Sequence, residues 1–257
     1  MENDSVDPPS PDSILVADTG QIKLAAETAT IRTRANFAGQ HLLAAAKFAR
    51  MSGEVETAHT GGSSTEPFFT ETVTYATGTI LTAGAALEAY INQVFIDGKV
   101  FPIQSIGANT EELWDIWWDV IERRDIWTKY NLALELRNKL KLSQDNQSPL
   151  YPKYLSAHLL VDIRNALIHF KPQWDDEKKA HHQLTNRLLN ESVRSSPFGS
   201  CSPLFPHDFM SHDMARWAVK TAWQFIEAFS QGADLENTYA FLIDELNPGF
   251  ATWPLPS

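Results

Sequence analysis

Three segments of this 257-residue chain carry apolar residues at the spacing of an amphipathic helix. Residues three, four and seven positions apart share one helical face, and an apolar face must be buried against another element. No segment shows the alternation typical of strands. The sequence therefore predicts an all-α fold built around these helices. Their apolar positions are Ile80, Gly84, Leu87, Ile91 and Val94, then Leu159, Ile163, Ala166, Leu167 and Phe170, then Met214, Trp217, Ala218, Thr221, Phe225 and Phe229.

The N-terminal part of the chain has a different pattern, in which small residues recur at heptad spacing. It predicts one long additional helix, and the alanines would let another helix approach closely. That helix is either one arm of an intramolecular helical pair or the seam of a dimer. The expected organisation is a disordered tail at 1–18, the heptad-like helix at 19–53, a linker at 54–67, a helical domain at 68–246 and a C-terminal coil at 247–257. The heptad positions are Leu24, Thr28, Ile31, Ala35, Ala38, Leu42, Ala45 and Ala49.

Composition restricts the compartment and the partners of the protein. The net charge of −11 disfavours a broad nucleic-acid-binding surface, so any RNA contact has to be a local basic cleft. Cys201 is the only cysteine, which excludes an intramolecular disulfide and favours a reducing compartment. The sequence has no signal-peptide core and no run of about 18 apolar residues, so we expect a cytoplasmic protein without a membrane partner.

Several common catalytic motifs are absent. The chain has no phosphate-binding glycine loop, no HExxH or CxxC pair and no GxSxG element. Cys201, His207 and His212 could in principle bind a metal, but the cysteine lies in a proline-rich segment. We therefore expect neither a metal nor an organic cofactor.

One stretch of this acidic chain is basic. It is either a solvated helix face or a track for nucleic acid. Four tryptophans in the same region are similarly open to two interpretations, a core cluster or base-stacking residues. The basic residues are Arg123, Arg124, Lys129, Arg137, Lys139 and Lys141, and the tryptophans are Trp114, Trp117, Trp118 and Trp127.

The helix "DIRNALIHF", residues 162–170, carries three polar residues that its packing does not require: Arg164, Asn165 and His169. Such a trio suits RNA cleavage by the RNA's own 2′-hydroxyl. A histidine can move a proton near neutral pH, an arginine can stabilise the charge on the phosphorane, and an amide can position either. The spacing alone is weak evidence, because Arg34 and His41 form a similar pair elsewhere in the chain.

The context of this helix resembles a known family. "DIRNALIHFKPQW" is similar to the signature helix of HEPN domains, in which an arginine and a polar residue precede a histidine, and "TAGAALEAYINQVF" resembles the family's leading helix. The resemblance implies a helical bundle that dimerises with the two signature helices facing each other. It assigns the catalytic positions to Arg164, Asn165 and His169, and makes Glu88 and Asn92 supporting residues.

Three functions are compatible with these observations. The first is a metal-independent HEPN-type endoribonuclease, a toxin or defence effector with RNA as substrate and an antitoxin or other regulatory protein as a further partner. The second is a HEPN-like binding module without catalysis. The third is an unrelated helical protein in which Arg164 and His169 are surface or capping residues.

Overall fold

The computed structural model describes residues 15–17, 20–23, 32–63, 66–98, 120–138, 141–142, 148–171, 179–198 and 205–250. The chain divides into two units, Met1–Phe37 and Ala38–Ser257. Within these described ranges the structure is mainly helical, which confirms the all-α class for the larger unit. Its helices are α1 (Ala38–Ala58), α2 (Pro67–Ile96), α3 (Ile126–Asn138), α4 (Leu150–Ile168), α5 (Lys179–Asn190) and α6 (His212–Gly232), with short 3₁₀ helices at His207–Phe209 and Ala240–Leu242.

The first unit contains a small antiparallel sheet, β1 (Leu15–Ala17), β2 (Gly20–Lys23) and β3 (Arg32–Ala35), in the order β1-β2-β3. The predicted helix at 19–53 is therefore wrong at the described residues 20–23 and 32–37, and the predicted disordered tail is wrong at β1. Ala17 pairs with Gly20, and Gly20 pairs with Ala35. Of the heptad positions in this region, only Ala35 is described, and it lies in β3; Leu24, Thr28 and Ile31 lie outside the described residues.

The second half of the heptad pattern does form a helix. Ala38, Leu42, Ala45 and Ala49 are all fully buried in α1. This helix packs along α2, where the Thr79 hydroxyl lies 3.4 Å from the Ala45 carbonyl. The intramolecular helical pair is thus the correct interpretation of these positions. Because α1 continues to Ala58, the connection to α2 is shorter than the predicted linker.

Helix α2 is the centre of the larger unit. Its predicted stripe is buried, and tyrosine hydroxyls tie it to two neighbouring helices. The Tyr130 hydroxyl of α3 donates to the Leu87 carbonyl at 2.8 Å, and the Tyr90 hydroxyl lies 2.7 Å from the Ser230 hydroxyl of α6. By length and composition α2 could cross a membrane, but over half of its most apolar window is buried in the bundle. Packing therefore accounts for its apolar character.

Helix α6 has the core stripe that the sequence predicts, since all six of its predicted residues are buried. The helix begins after Ser211, whose hydroxyl accepts a hydrogen bond from the Met214 backbone N–H at 3.3 Å. This is the usual way of satisfying a free donor in the first turn. Glu191, which follows α5, accepts from the Trp217 indole at 3.1 Å and from the Ser156 hydroxyl of α4. The carboxylate therefore joins α4 and α6 to the segment after α5.

Helix α4 packs against α2 and α6 as predicted. Leu159 and Ile163 are buried, and Ala166 and Leu167 are partly buried against the core. The prediction is wrong at Phe170, which is exposed because α4 ends at Ile168 and the residue no longer belongs to the helical face.

His212, the first residue of α6, holds the segment before residue 250 against α1. Its Nδ1 lies 2.8 Å from the Ala49 carbonyl, and its ring fills the space beside Gly53 and Gly249, where a Cβ atom would come within 3.0 Å of it. Burial lowers the pKa of His212 below its usual 6.5, although the bond to Ala49 opposes the shift. No helix or strand is present in the described part of the predicted C-terminal coil.

The unfolding free energy should fall as pH drops through about 6.5, because the unfolded chain binds the His212 proton before the folded chain does. His212→Asn keeps a donor for the Ala49 carbonyl but does not titrate. Urea unfolding between pH 7 and pH 5 should therefore show a shallower pH dependence for this variant than for the wild type. His182→Asn removes an exposed histidine from α5 and is the matched control with which the slope of His212→Asn is compared. Equal slopes for wild type and His212→Asn would contradict the assignment.

Candidate functional site

Arg164 projects from α4 toward α2 and crosses it at Gly84. A Cβ atom at Gly84 would lie only 3.2 Å from the Arg164 Cγ, so the arginine stem occupies the space that the glycine leaves. The guanidinium reaches Glu88, with 3.5 Å between Nη2 and Oε2, and donates to Asn165 Oδ1 at 3.1 Å. About a third of the arginine side chain, 29%, remains exposed. Arg164, Asn165 and Glu88 therefore form one connected polar group.

The second predicted supporting residue, Asn92, lies one turn beyond Glu88. Its side-chain oxygen accepts a hydrogen bond from Lys129 Nζ of α3 at 2.8 Å. Lys129 is only 3% exposed. Burial lowers the pKa of Lys129, whereas the charge of Glu88 raises it, followed by smaller contributions from Glu122 and Asp125. Glu88 thus faces two cations, Arg164 on one side and Lys129 on the other.

His169 lies apart from this group. It is the first residue after α4, and its backbone N–H still donates to the Asn165 carbonyl at 2.9 Å. Its imidazole is exposed and makes no hydrogen bond within the described part of the chain. Five residues on a helix separate two side chains by about 140° around the axis. Within one chain, the trio is therefore split into an Arg164–Asn165 pair and a separate histidine.

The predicted basic stretch does not form one continuous surface. Lys129 is buried against Asn92, and Arg137 donates to the carbonyls of Ala233 and Asp234 at the end of α6. Both residues therefore have structural roles, which corrects their assignment as nucleic-acid contacts. The carbonyls at the end of a helix have no partner within it and can accept from Arg137, and the Asn92 side-chain oxygen accepts from Lys129.

The remaining cations of that stretch lie at the surface. Arg123 and Arg124 are exposed, and Lys141 lies 4.0 Å from Glu135. Lys139 and three of the four tryptophans are outside the described residues. Trp127 is half-buried between α4 and α6, with its ring in edge contact with Phe225.

Sequence reasoning missed a second polar cluster on the outward face of α4. His158 Nδ1 lies 3.1 Å from Asp162 Oδ2, which also accepts a hydrogen bond from Arg187 of α5 at 2.6 Å. Trp127 stacks on the His158 ring, with centroids 5.3 Å apart. The signal in the sequence was a histidine and an aspartate four residues apart, the spacing of neighbours on one helical face. Along α4, His158 lies about 16 Å from His169, too far for the two imidazoles to act on the same phosphate.

Two further features lie away from the trio. No group of three metal-ligating side chains is present among the described residues. Cys201, the cysteine of the possible metal set, lies outside the described residues. A surface cavity of about 540 Å³ lies between α1 and the segment before residue 250, lined by Lys47, Arg50 and Glu245 among others. Arg50 in that cavity already donates to the carbonyls of Glu245 and Asn247.

Comparison with known proteins adds no relative to this picture. No protein-family model matches the chain, and neither a curated protein nor a solved structure shows significant similarity to it. The chemistry of the site has to be argued from its own residues.

Glu88→Gln should lower the pKa of Lys129 further, because it removes the largest charge that opposes the effect of burial. The titration of the Lys129 side chain, followed by NMR of the carbon next to its amine, measures this shift. Glu71→Gln, an exposed carboxylate near the start of α2, is the control and should leave the titration unchanged. A Lys129 pKa that does not respond to Glu88→Gln would mean that the two residues are not coupled.

Proposed function

We propose that this protein is a HEPN-like, metal-independent endoribonuclease that cleaves RNA by attack of the 2′-hydroxyl. The observation that carries the proposal is the Arg164 guanidinium at the exposed end of α4, held by Glu88 and Asn165 with part of its surface open to solvent. A fixed, partly exposed guanidinium, on a helix that is followed by a solvent-accessible histidine, supplies the charge and the imidazole that cleavage of a phosphodiester needs.

Each member of the trio has a defined task in this reaction. The 2′-oxygen attacks the phosphorus while the bond from phosphorus to the 5′-oxygen breaks, leaving a 2′,3′-cyclic phosphate and a free 5′-hydroxyl. An imidazole accepts the proton of the 2′-hydroxyl or donates a proton to the 5′-oxygen, which is the role of His169. Arg164 stabilises the negative charge that builds up on the non-bridging oxygens, and Asn165 keeps the guanidinium in place.

The reaction as proposed needs two copies of the chain. In a single chain, Glu88 and Asn165 hold Arg164, whereas the His169 side chain makes no hydrogen bond among the described residues. A homodimer in which two α4 ends meet would bring His169 of one copy to Arg164 of the other. The proposal puts this dimer in the cytoplasm, with an antitoxin-like or other regulatory protein as a further partner.

A non-catalytic HEPN-like binding module is the second candidate, and one observation favours it. The Arg164 guanidinium is engaged by Glu88 and Asn165, while the His169 imidazole has no orienting partner among the described residues. Such an arrangement can bind a phosphate without moving a proton. Cleavage and binding therefore have to be measured separately.

RNA incubated with the wild type should be cut in the presence of EDTA and should carry 2′,3′-cyclic phosphate ends. His169→Ala should lower the rate about 10²-fold or more by removing the proton carrier, and Arg164→Ala should have a similar effect by removing the charge stabiliser. Denaturing gels and mass spectrometry of the fragments measure both results. The two variants should fold normally, because neither side chain belongs to the buried stripe of α4.

Two controls make this assay specific. Arg34→Ala removes the arginine of the similar pair, which lies in β3, and His59→Ala removes an exposed imidazole just after α1. Both should cleave at the wild-type rate. Loss of cleavage with EDTA, or full activity of His169→Ala, contradicts the mechanism. Binding of RNA without cleavage favours the binding module, and neither binding nor cleavage rejects both.

A further inference from the structure

The surface beside His169 is unusually apolar. Ile168 and Phe170, which flank the histidine, are 50% and 41% exposed. Burial of apolar side chains of this size lowers the free energy. Two of them exposed around one polar residue therefore indicate an interaction surface.

The Phe170 ring is fixed by aromatic neighbours that lead into the core. It stacks on His181 of α5, with ring centroids 5.5 Å apart and planes 12° from parallel. His181 is buried and contacts Phe205, which is almost completely buried, at 5.5 Å. An exposed aromatic ring with a buried aromatic partner behind it keeps its orientation. Nucleobases stack on flat rings of this kind, and such stacking tolerates many sequences.

The charges around Phe170 favour a nucleotide over another protein surface. His169 and Lys171, the residues before and after it, are both exposed. A second apolar surface placed on Phe170 would desolvate the Lys171 ammonium without pairing it. A nucleotide supplies a ring for the phenylalanine and a phosphate for the lysine. A local site of this kind also suits a chain whose net charge repels nucleic acid elsewhere.

We propose that Phe170, supported by His181, is the stacking platform for one unpaired nucleobase of an RNA strand. The base has to be unpaired, because only a base released from its own helix exposes a face to a side chain. The binding site itself is argued from Phe170, His181 and Lys171. Its position next to the cleaved bond rests on the function proposed above.

Binding is tested without cleavage by a short fluorescein-labelled single-stranded RNA in which every 2′-oxygen is methylated, so that it cannot attack the phosphorus. Fluorescence anisotropy should show that Phe170→Ala weakens binding about tenfold or more, the scale of losing one stacked base. Phe170→Tyr keeps the ring and should bind within about twofold of the wild type. Phe241→Ala, which removes a 63% exposed phenylalanine from the 3₁₀ helix Ala240–Leu242, is the matched control and should bind normally.

A set of RNAs with a single abasic nucleotide at successive positions identifies the stacked base. One position should weaken binding to the wild type by as much as Phe170→Ala does. The same abasic RNA should cause no further loss with Phe170→Ala, because the ring and the base act as a pair. Additive losses at every position would overturn the platform.

Other outcomes also decide the proposal. Unchanged binding by Phe170→Ala, or no binding of single-stranded RNA by the wild type, overturns it. If Phe170→Ala changes from dimer to monomer in light scattering and keeps its RNA affinity, the platform is also overturned. That result would show that Phe170 contacts a second copy of the chain. Full cleavage by Phe170→Ala with unchanged binding rejects the platform and keeps the endoribonuclease. Phe170-dependent binding without any cleavage keeps the platform and rejects the endoribonuclease.

Discussion

The close approach of α4 to α2 at Gly84 is the contact on which the candidate site depends. Any larger residue there would meet the Arg164 stem, with even a Cβ atom lying 3.2 Å from its Cγ. Because the glycine leaves this space, the aliphatic part of Arg164 packs on the helix and only its charged end approaches solvent. Long cationic side chains commonly divide in this way between an apolar contact and a hydrated head.

The same face of α2 provides the next two contacts at intervals of one turn. Gly84, Glu88 and Asn92 are each four residues apart, so they form one line along the helix. Glu88 pairs with Arg164 of α4, and Asn92 accepts from Lys129 of α3. Tyr130, the residue after Lys129, holds helix α3 there. Its fully buried hydroxyl donates a hydrogen bond to the Leu87 carbonyl of α2. The core packing therefore determines which polar groups meet.

The apolar stripes of α2, α4 and α6 could be predicted from the sequence because each is long and strictly periodic. Glu88 and Asn92 could also be selected, although only through a resemblance to a family. The sheet of β1, β2 and β3 could not, since its strands are only three or four residues long, which is too short to show a clear alternation. Its signal was "ADTG", an aspartate and a glycine between two short aliphatic runs, as hairpins commonly have.

The structural roles of Lys129 and Arg137 could not be predicted either. A charged residue in a basic stretch gives no local sign that it faces a buried amide or a distant helix end. Arg137 contacts Ala233 and Asp234, almost a hundred positions later in the chain. Contacts of that range depend on the tertiary packing of α3 against α6, which periodicity within one helix does not specify.

The end of α4 is a place where helical periodicity fails at the candidate site itself. Pro172 disfavours helical geometry at the residue before it, so a helix approaching it has to end early. In the structure α4 ends at Ile168, with His169 already outside regular helical geometry. Helical periodicity therefore stops applying two residues before Phe170. The core position that this periodicity predicts for Phe170 is wrong for that reason. Leaving the helix exposes the His169 imidazole and turns Phe170 onto His181. The early end of α4 thus places a histidine and an aromatic ring side by side at the surface.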